Sequence, residues 1–287
     1  MLVFRFSPVV LFSLFVLESG AGAADLSIAD TLFHQKDYFQ AVTEYKRFLF
    51  FHSGKNDSLA MQAWFQMGLC YRNSREWESA RSAFDTVRMF SDSGGLGERV
   101  RFQSALVQLA QGSIGEAEFE FAGLAKFSPD SLVRSKALFF RGICQIKRYS
   151  WEEARNSFQM YAIQSKGAIP QRLDSLLREA LRFRWKSPET AKWLSTALPG
   201  LGQTYAGSPL EGFYSLTLNA SSVWLLVYFL MQGQIVEGLL ASILLERFYF
   251  GNREKASQLA AKFDEEFSYS MAGDLLEEVR TGFGREK

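Results

Sequence analysis

The stretch Trp64–Val87, WFQMGLCYRNSREWESARSAFDTV, reads as two helices joined by a short polar turn. Its first half carries Trp64, Met67, Gly68 and Tyr71 at steps of three, one and three, and its second half carries Trp77, Ala80, Phe84 and Val87 at steps of three, four and three. Steps of three and four stack side chains on one helix face. Gly68 and Ala80 are small enough to let the two helices approach closely, and the aromatics fill the space beside them. The second half recurs as Tyr38/Ala41/Tyr45/Phe48, Ile114/Ala117/Phe121/Leu124 and Trp151/Ala154/Phe158/Tyr161, at spacings of 39, 37 and 37 residues. A helical hairpin repeated at this period cannot bury its apolar face alone, so stacked neighbours must share a core.

The pattern Trp64-x2-Met67-Gly68-x2-Tyr71-x8-Ala80-x3-Phe84 resembles a tetratricopeptide (TPR) repeat, and Pro129 falls where that family often closes its second helix. The units are longer than the standard repeat of about 34 residues, which is similar to TPR modules of bacterial envelope proteins such as outer-membrane assembly lipoproteins. The resemblance implies an all-α, right-handed helical solenoid over roughly residues 25 to 165 and a role in binding proteins. It further implies that positions one and five beyond the first packing site line a concave groove. Here these are Phe65 and Leu69, Phe102 and Leu106, Phe139 and Ile143, an apolar ladder suited to gripping a peptide or helix. The same six residues could instead be core, because Arg101, Ser104, Gln108, Arg141 and Gln145 stand at positions that should pack.

Outside the repeats, the first 24 residues read as a secretory signal: Arg5, an apolar run from Val9 to Leu17, then Gly20 to Ala24 for cleavage. No cysteine stands near the cleavage point, so lipid attachment there is not expected. Cys70 and Cys144 each follow a repeat glycine by two positions, two units apart, and are expected to be buried and unbridged, since a disulfide needs Cα atoms within about 7 Å. Turns are expected at residues 53–57, 91–97 and 127–130. Leucines at 173, 176, 177 and 181 predict one more amphipathic helix, which caps the array to residue 186.

Residues 187–287 have a different character. Ser187-Pro188-Glu189 is a helix start, and the helix should stop at Leu198-Pro199-Gly200. From Gly212 through Val236, 25 consecutive positions are uncharged, and Phe213 to Met231 can cross roughly 28 Å of hydrocarbon. A second apolar run, residues 235–250, holds Glu237, Glu246 and Arg247, and is the weaker arm of an expected membrane hairpin. The other reading of this half is a buried helical pair in a soluble domain.

Between the two halves lies Pro199-Gly200-Leu201-Gly202-Gln203-Thr204-Tyr205-Ala206-Gly207. Glycine tolerates positive φ and close backbone approach, and proline fixes a turn, so Pro199, Gly200, Gly202, Gln203, Tyr205 and Gly207 are expected to form a sharp structural turn. This segment resembles the P-G-x-G-Q-x-Y-x-G motif that precedes a hydrophobic pair in poorly characterised bacterial membrane proteins. Some of those carry TPR units, and some are associated with membrane-protein insertion. Tyr249-Gly251-Asn252, within Phe248 to Asn252, is similar to the Tyr-Gly-Asn ending of that group.

Net charge of +1 gives no reason to expect nucleic acid as a partner. Two histidines, His34 and His52, and two distant cysteines are too few for a zinc site. The adjacent pairs Glu152/Glu153, Glu265/Glu266 and Glu277/Glu278 point to different helix faces and cannot share a proton. No catalytic constellation, cofactor, metal or small-molecule substrate is therefore expected. The function anticipated is a non-catalytic, membrane-anchored scaffold of the bacterial cell envelope that recruits other envelope or membrane proteins. The rival readings are a soluble periplasmic binding module and a factor acting directly in membrane-protein insertion. Lys/Arg residues flank the apolar pair while residues 232–236 have none, so the positive-inside rule would keep both flanks cytoplasmic; a cleaved signal would place the array in the periplasm.

Overall fold

The computed structural model describes residues 26–52, 58–90 and 95–283. The expected signal sequence, the 53–57 turn and most of the 91–97 turn lie outside them. Every regular element among the described residues is a helix, as the hairpin periodicity predicts. The chain forms two compact units, one through Leu124 and one from Ala125.

The first unit contains α1 (Leu26–His34), α2 (Tyr38–Phe51), α3 (Ser58–Asn73), α4 (Trp77–Phe90), α5 (Gly95–Gln111) and α6 (Ile114–Phe127), the last running a few residues past the division. Helices α1 to α4 each pack on the next in sequence. The repeated alanines Ala41, Ala80 and Ala117 are fully buried, with Tyr45, Phe84 and Phe121 beside them. Gly68 is required by this packing: a Cβ there would stand 2.5 Å from the Phe84 ring. The hairpin turns repeat as faithfully as the seams. Lys36, Arg75 and Gly112 have φ of 64°, 64° and 87°. At the first two, N–H groups one residue apart bond back across the turn, Lys36 to Phe33 and Asp37 to Leu32, then Arg75 to Arg72 and Glu76 to Tyr71, closing the helix end in a Schellman-type cap. The glycines at 95 and 97 belong to the first turn of α5, so the expected 91–97 loop ends earlier than its composition implies.

The second unit contains α7 (Ser131–Lys147), α8 (Trp151–Ser165), α9 (Gln171–Arg182), α10 (Pro188–Ala197), α11 (Leu201–Tyr205), α12 (Pro209–Met231) and α13 (Ile235–Gly282). Helices α7 and α8 are one more repeat hairpin, with Ala154 and Phe158 fully buried, Tyr149 at the turn with φ of 60°, and a Cβ on Gly142 meeting the Phe158 ring at 2.8 Å. Local chemistry fixes the helix starts: the Asp130 carboxylate accepts from Leu132 N–H at 2.8 Å, and the Ser187 hydroxyl oxygen accepts from Thr190 N–H at 3.2 Å with Pro188 in the first turn.

Helix α13 is 48 residues long. Its first part pairs antiparallel with α12 across a turn at Gly233, φ 72°. Its last part returns to the repeat hairpin, where Met271, Ala272, Leu275 and Val279 join Phe158, Leu173, Leu177 and Ala180 in one apolar cluster. The expected capping helix α9 is therefore itself covered by α13. The anticipated division at residue 186 falls inside this unit, because α13 packs on helices from both sides of it.

Candidate functional site

Two sets of residues were singled out by sequence, and the structure treats them differently. In the repeat ladder, Phe65 is 2% exposed, its ring lies 5.9 Å from Phe84, and the Arg99 guanidinium covers it at 4.6 Å. Phe102 lies 5.5 Å from Phe121, and Phe139 lies 5.9 Å from Phe158. Each ladder phenylalanine thus meets the seam aromatic of its own hairpin. Leu69, Phe102, Leu106, Phe139 and Ile143 are half-buried. In the second unit Phe139 has a further neighbour, Phe283 just past the end of α13, at 5.0 Å, and Phe283 also touches Tyr161 at 5.6 Å. The chain's own carboxy-terminal segment occupies that rung.

Two of the polar residues at packing positions are paired, whereas Ser104 Oγ, Gln108 Oε1 and Arg141 Nε are buried with no hydrogen-bond partner among the described residues. Arg101 grips Glu120 through Nε and Nη2 at 3.1 and 3.0 Å, and buried Gln145 accepts from the Ser157 hydroxyl at 2.7 Å. Cys70 and Cys144 are both buried, each within its own unit, and are not bridged to each other. Burial, with a smaller contribution from Asp30, pushes the Cys70 thiol up to about 12.

The glycine-rich segment builds the more constrained site. Residues 201–205 form the short helix α11, flanked by Gly200 at φ 101° and Gly207 at φ 91°. The expected turn is thus two left-handed glycines around one helical turn. Close approach is severe at the first two glycines of the segment. A Cβ on Gly200 would lie 2.2 Å from the Gly212 carbonyl oxygen, and one on Gly202 would lie 2.0 Å from the Ala191 carbonyl oxygen. Gly212 in turn has the Gly200 oxygen 2.6 Å from its own Cβ position. Three helices, α10, α11 and α12, therefore meet backbone to backbone.

At this junction Gln203, 1% exposed, is fully enclosed by polar partners. Its Oε1 accepts from the Ser195 hydroxyl at 3.0 Å, and Ser195 Oγ accepts from Gly202 N–H at 3.1 Å. Its Nε2 donates to the Asn252 carbonyl at 3.0 Å, to Asn252 Oδ1, and more weakly to Ser215 Oγ at 3.4 Å. Nearby the Tyr249 hydroxyl donates to the Thr196 carbonyl at 2.8 Å, and the Tyr205 hydroxyl accepts from Ser187 N–H at 3.1 Å. The two resemblance motifs, separated by 49 residues between Gln203 and Asn252, are one physical object. Sequence reasoning placed both segments but did not pair them. It missed Ser195 and Ser215 altogether and took Asn219 and Ser222 only as polar dilution of an apolar run, although Ser215, Asn219 and Ser222 stand at steps of four and three, the spacing of a helix seam.

That seam has an unusual polarity. The buried residues of α12 are Gly212, Ser215, Asn219 and Ser222, and those early in α13 are Gly238, which lies against Leu230, and Ala241. The exposed residues include Phe213, Leu216, Val223, Trp224, Val227 and Leu230 on α12, and Ile235, Leu239, Leu240 and Ile243 on α13. A water-soluble hairpin buries its large apolar side chains; this one buries its small and polar ones and exposes the rest. By length and composition α12 is the one helix among the described residues able to cross a membrane, with mean hydropathy of 1.4 over its most apolar window. The start of α13, the expected weaker arm, does not pass the same test.

No group of three or more His, Cys, Asp or Glu side chains that could hold a metal occurs among the described residues. The tetratricopeptide repeat family model matches residues 62–88, spanning most of α3 and nearly all of α4. Among solved structures, the chain is similar to the C-terminal part of the TPR repeat-containing protein from Cytophaga hutchinsonii, at 12% identity and a TM-score of 0.34, over 77% of this chain and 94% of that one. No curated protein matches the sequence. Residues 62–88 are thus similar to a tetratricopeptide repeat, and repeats of this kind are generally non-catalytic modules for protein–protein interaction.

Proposed function

We propose that this protein is a membrane-anchored TPR scaffold of the cell envelope. Its repeat hairpins recruit protein partners, and residues 210–231 with 235–250 hold it in the bilayer. The observation that carries this reading is the inverted hairpin. Exposed apolar surface on this scale is rare on a soluble monomer, whereas in lipid the large side chains meet acyl chains and small residues such as Gly, Ala and Ser let helices approach closely. The helical residues from Phe213 to Met231 span roughly 28 Å, close to the hydrocarbon thickness of about 30 Å.

In this reading the knot around Gln203 is the rigid base of the anchor. It joins α10, α11, α12 and α13 through hydrogen bonds that satisfy both ends of the Gln203 amide, which matters most where water is scarce. Export of the repeats to the periplasm is supported by the signal-like amino terminus, and partners among other envelope or membrane proteins follow from that location. The test is alkaline carbonate extraction of membranes from cells expressing the full chain, combined with protease digestion of intact spheroplasts. Retention in the pellet with digestion of the repeats is the expected result. Release into the supernatant overturns the anchor, and protected repeats overturn the export.

A further inference from the structure

Between α12 and α13, on the side of the hairpin away from its turn, lies a cleft of about 300 Å³ whose lining includes Tyr214, Ser215, Asn219, Arg247, Gly251 and Asn252. Four observations there are unexplained by the hairpin's own packing. Asn252 is 6% exposed and its Nδ2 has no hydrogen-bond partner; Asn219 is 4% exposed and its Oδ1 has none. Arg247 is exposed and has no carboxylate partner among the described residues. A Cβ on Gly251 would touch nothing within 4 Å, so this mid-helix glycine, which costs about 1 kcal/mol relative to alanine, serves no internal contact. What its missing side chain does is keep the cleft open. The remaining charges on the lining, Glu211 and Lys255, pair with each other, leaving Arg247 as the unbalanced one. Glu246, the neighbouring carboxylate, lines a separate cleft with Pro199 and Tyr249.

We propose that this cleft binds the phosphate diester of an anionic phospholipid bearing a hydroxylated headgroup. This rests on the membrane-hairpin reading above. Arg247 lies about 18 Å along α13 from Ile235, at a depth where an unpaired cation is costly and its long side chain must snorkel toward the interface, where a lipid phosphate is the anion available. A guanidinium and an amide N–H are donors suited to phosphate oxygens, and the free Asn219 Oδ1 is an acceptor suited to a headgroup hydroxyl. Basic pockets between membrane helices recognise lipid headgroups through the same combination of charge and shape.

The experiment reconstitutes the full chain in nanodiscs of phosphatidylcholine with a minor share of phosphatidylglycerol, and counts lipid retained on the ejected protein by native mass spectrometry. Resistance of the protein to alkaline carbonate extraction from vesicles of the same lipids reports insertion independently. Wild type should retain phosphatidylglycerol, Arg247→Gln and Gly251→Leu should each lower that retention about tenfold, the ratio lost with one charge-assisted contact, and Arg247→Lys should restore part of it. If the protein does not insert, the hairpin reading falls and the site with it. If insertion is normal and Arg247→Gln and Gly251→Leu retain the lipid as wild type does, the site alone is overturned. Displacement of the lipid by inorganic phosphate overturns the headgroup assignment in favour of the free anion.

Discussion

Alanine at Gly68 is the sharpest probe of the repeat seam. The added Cβ would lie 2.5 and 2.7 Å from two carbons of the Phe84 ring, whereas ordinary van der Waals contact begins at 3.4 Å. Ring or backbone must therefore retreat by roughly 1 Å, and Phe84 is fully buried with Phe65 against it. An overlap this large against a fully buried ring falls in the upper half of the usual overpacking cost, about 2–3 kcal/mol, while alanine recovers about 1 kcal/mol of helix propensity over glycine. Net destabilisation of about 1–2 kcal/mol follows for Gly68→Ala, and the equivalent Gly142→Ala should behave alike because its Cβ meets Phe158 at 2.8 Å. Gly273, mid-helix in α13 with open space at its Cβ position, is the control: the same substitution there should stabilise by about 1 kcal/mol. Urea unfolding in one detergent, followed by far-ultraviolet circular dichroism, measures all three. The reasoning is refuted if Gly68→Ala is as stable as wild type or changes with the same sign as Gly273→Ala.

Arg75 sits at φ 64° in the second hairpin turn, so Arg75→Gly should raise stability by about 1 kcal/mol in the same urea assay, since left-handed backbone is strained for residues with a Cβ. Gly202→Ala drives a methyl group to 2.0 Å from a backbone oxygen that cannot rotate away, and should abolish accumulation of the full chain, measured by quantitative blotting of membranes. Gln203→Leu leaves Ser195 and Asn252 without their partners. It should destabilise by at least about 2 kcal/mol, read as a lowered melting temperature. Thiol labelling should be negligible in the folded protein, because Cys70 and Cys144 are buried. Burial raises both Cys70 and Tyr45 above their ordinary values of 9.0 and 10.0, Cys70 to about 12. The unfolded chain then releases these protons first, so stability present below pH 9 should decline as pH rises from there toward 12, measured by urea midpoints.

The repeat architecture was legible because one small residue and two aromatics at fixed steps permit little else. Ala41, Ala80, Ala117 and Ala154 stand where the period puts them, all fully buried. Proline and serine at 187–188 likewise mark a helix start through local chemistry alone. Less legible was anything requiring distant segments to meet. The ladder phenylalanines could have faced a partner or their own hairpin, and hydrophobicity is the same in both cases. The ring distances place them against the seam. The length of α13 was hidden because its sequence passes from an apolar run into a charged one without a helix-breaking residue, and such a change of composition looks like a boundary. Asn219 and Ser222 read as dilution of an apolar stretch. Only their spacing from Gly212 and Ser215 distinguishes a buried seam from random polar content, and that spacing was available in the sequence.

The inverted burial of α12 is most directly tested by spin labels placed singly at Leu216, Val223 and Val227, exposed positions of the helix, with buried Ser222 as comparison. In the protein reconstituted into lipid vesicles, collisions with oxygen, which concentrates in acyl chains, should dominate over collisions with a water-soluble nickel chelate at the first three sites, whereas Ser222 should be shielded from both. Strong collision with the nickel chelate at Leu216, Val223 and Val227 would contradict the account and return the hairpin to water.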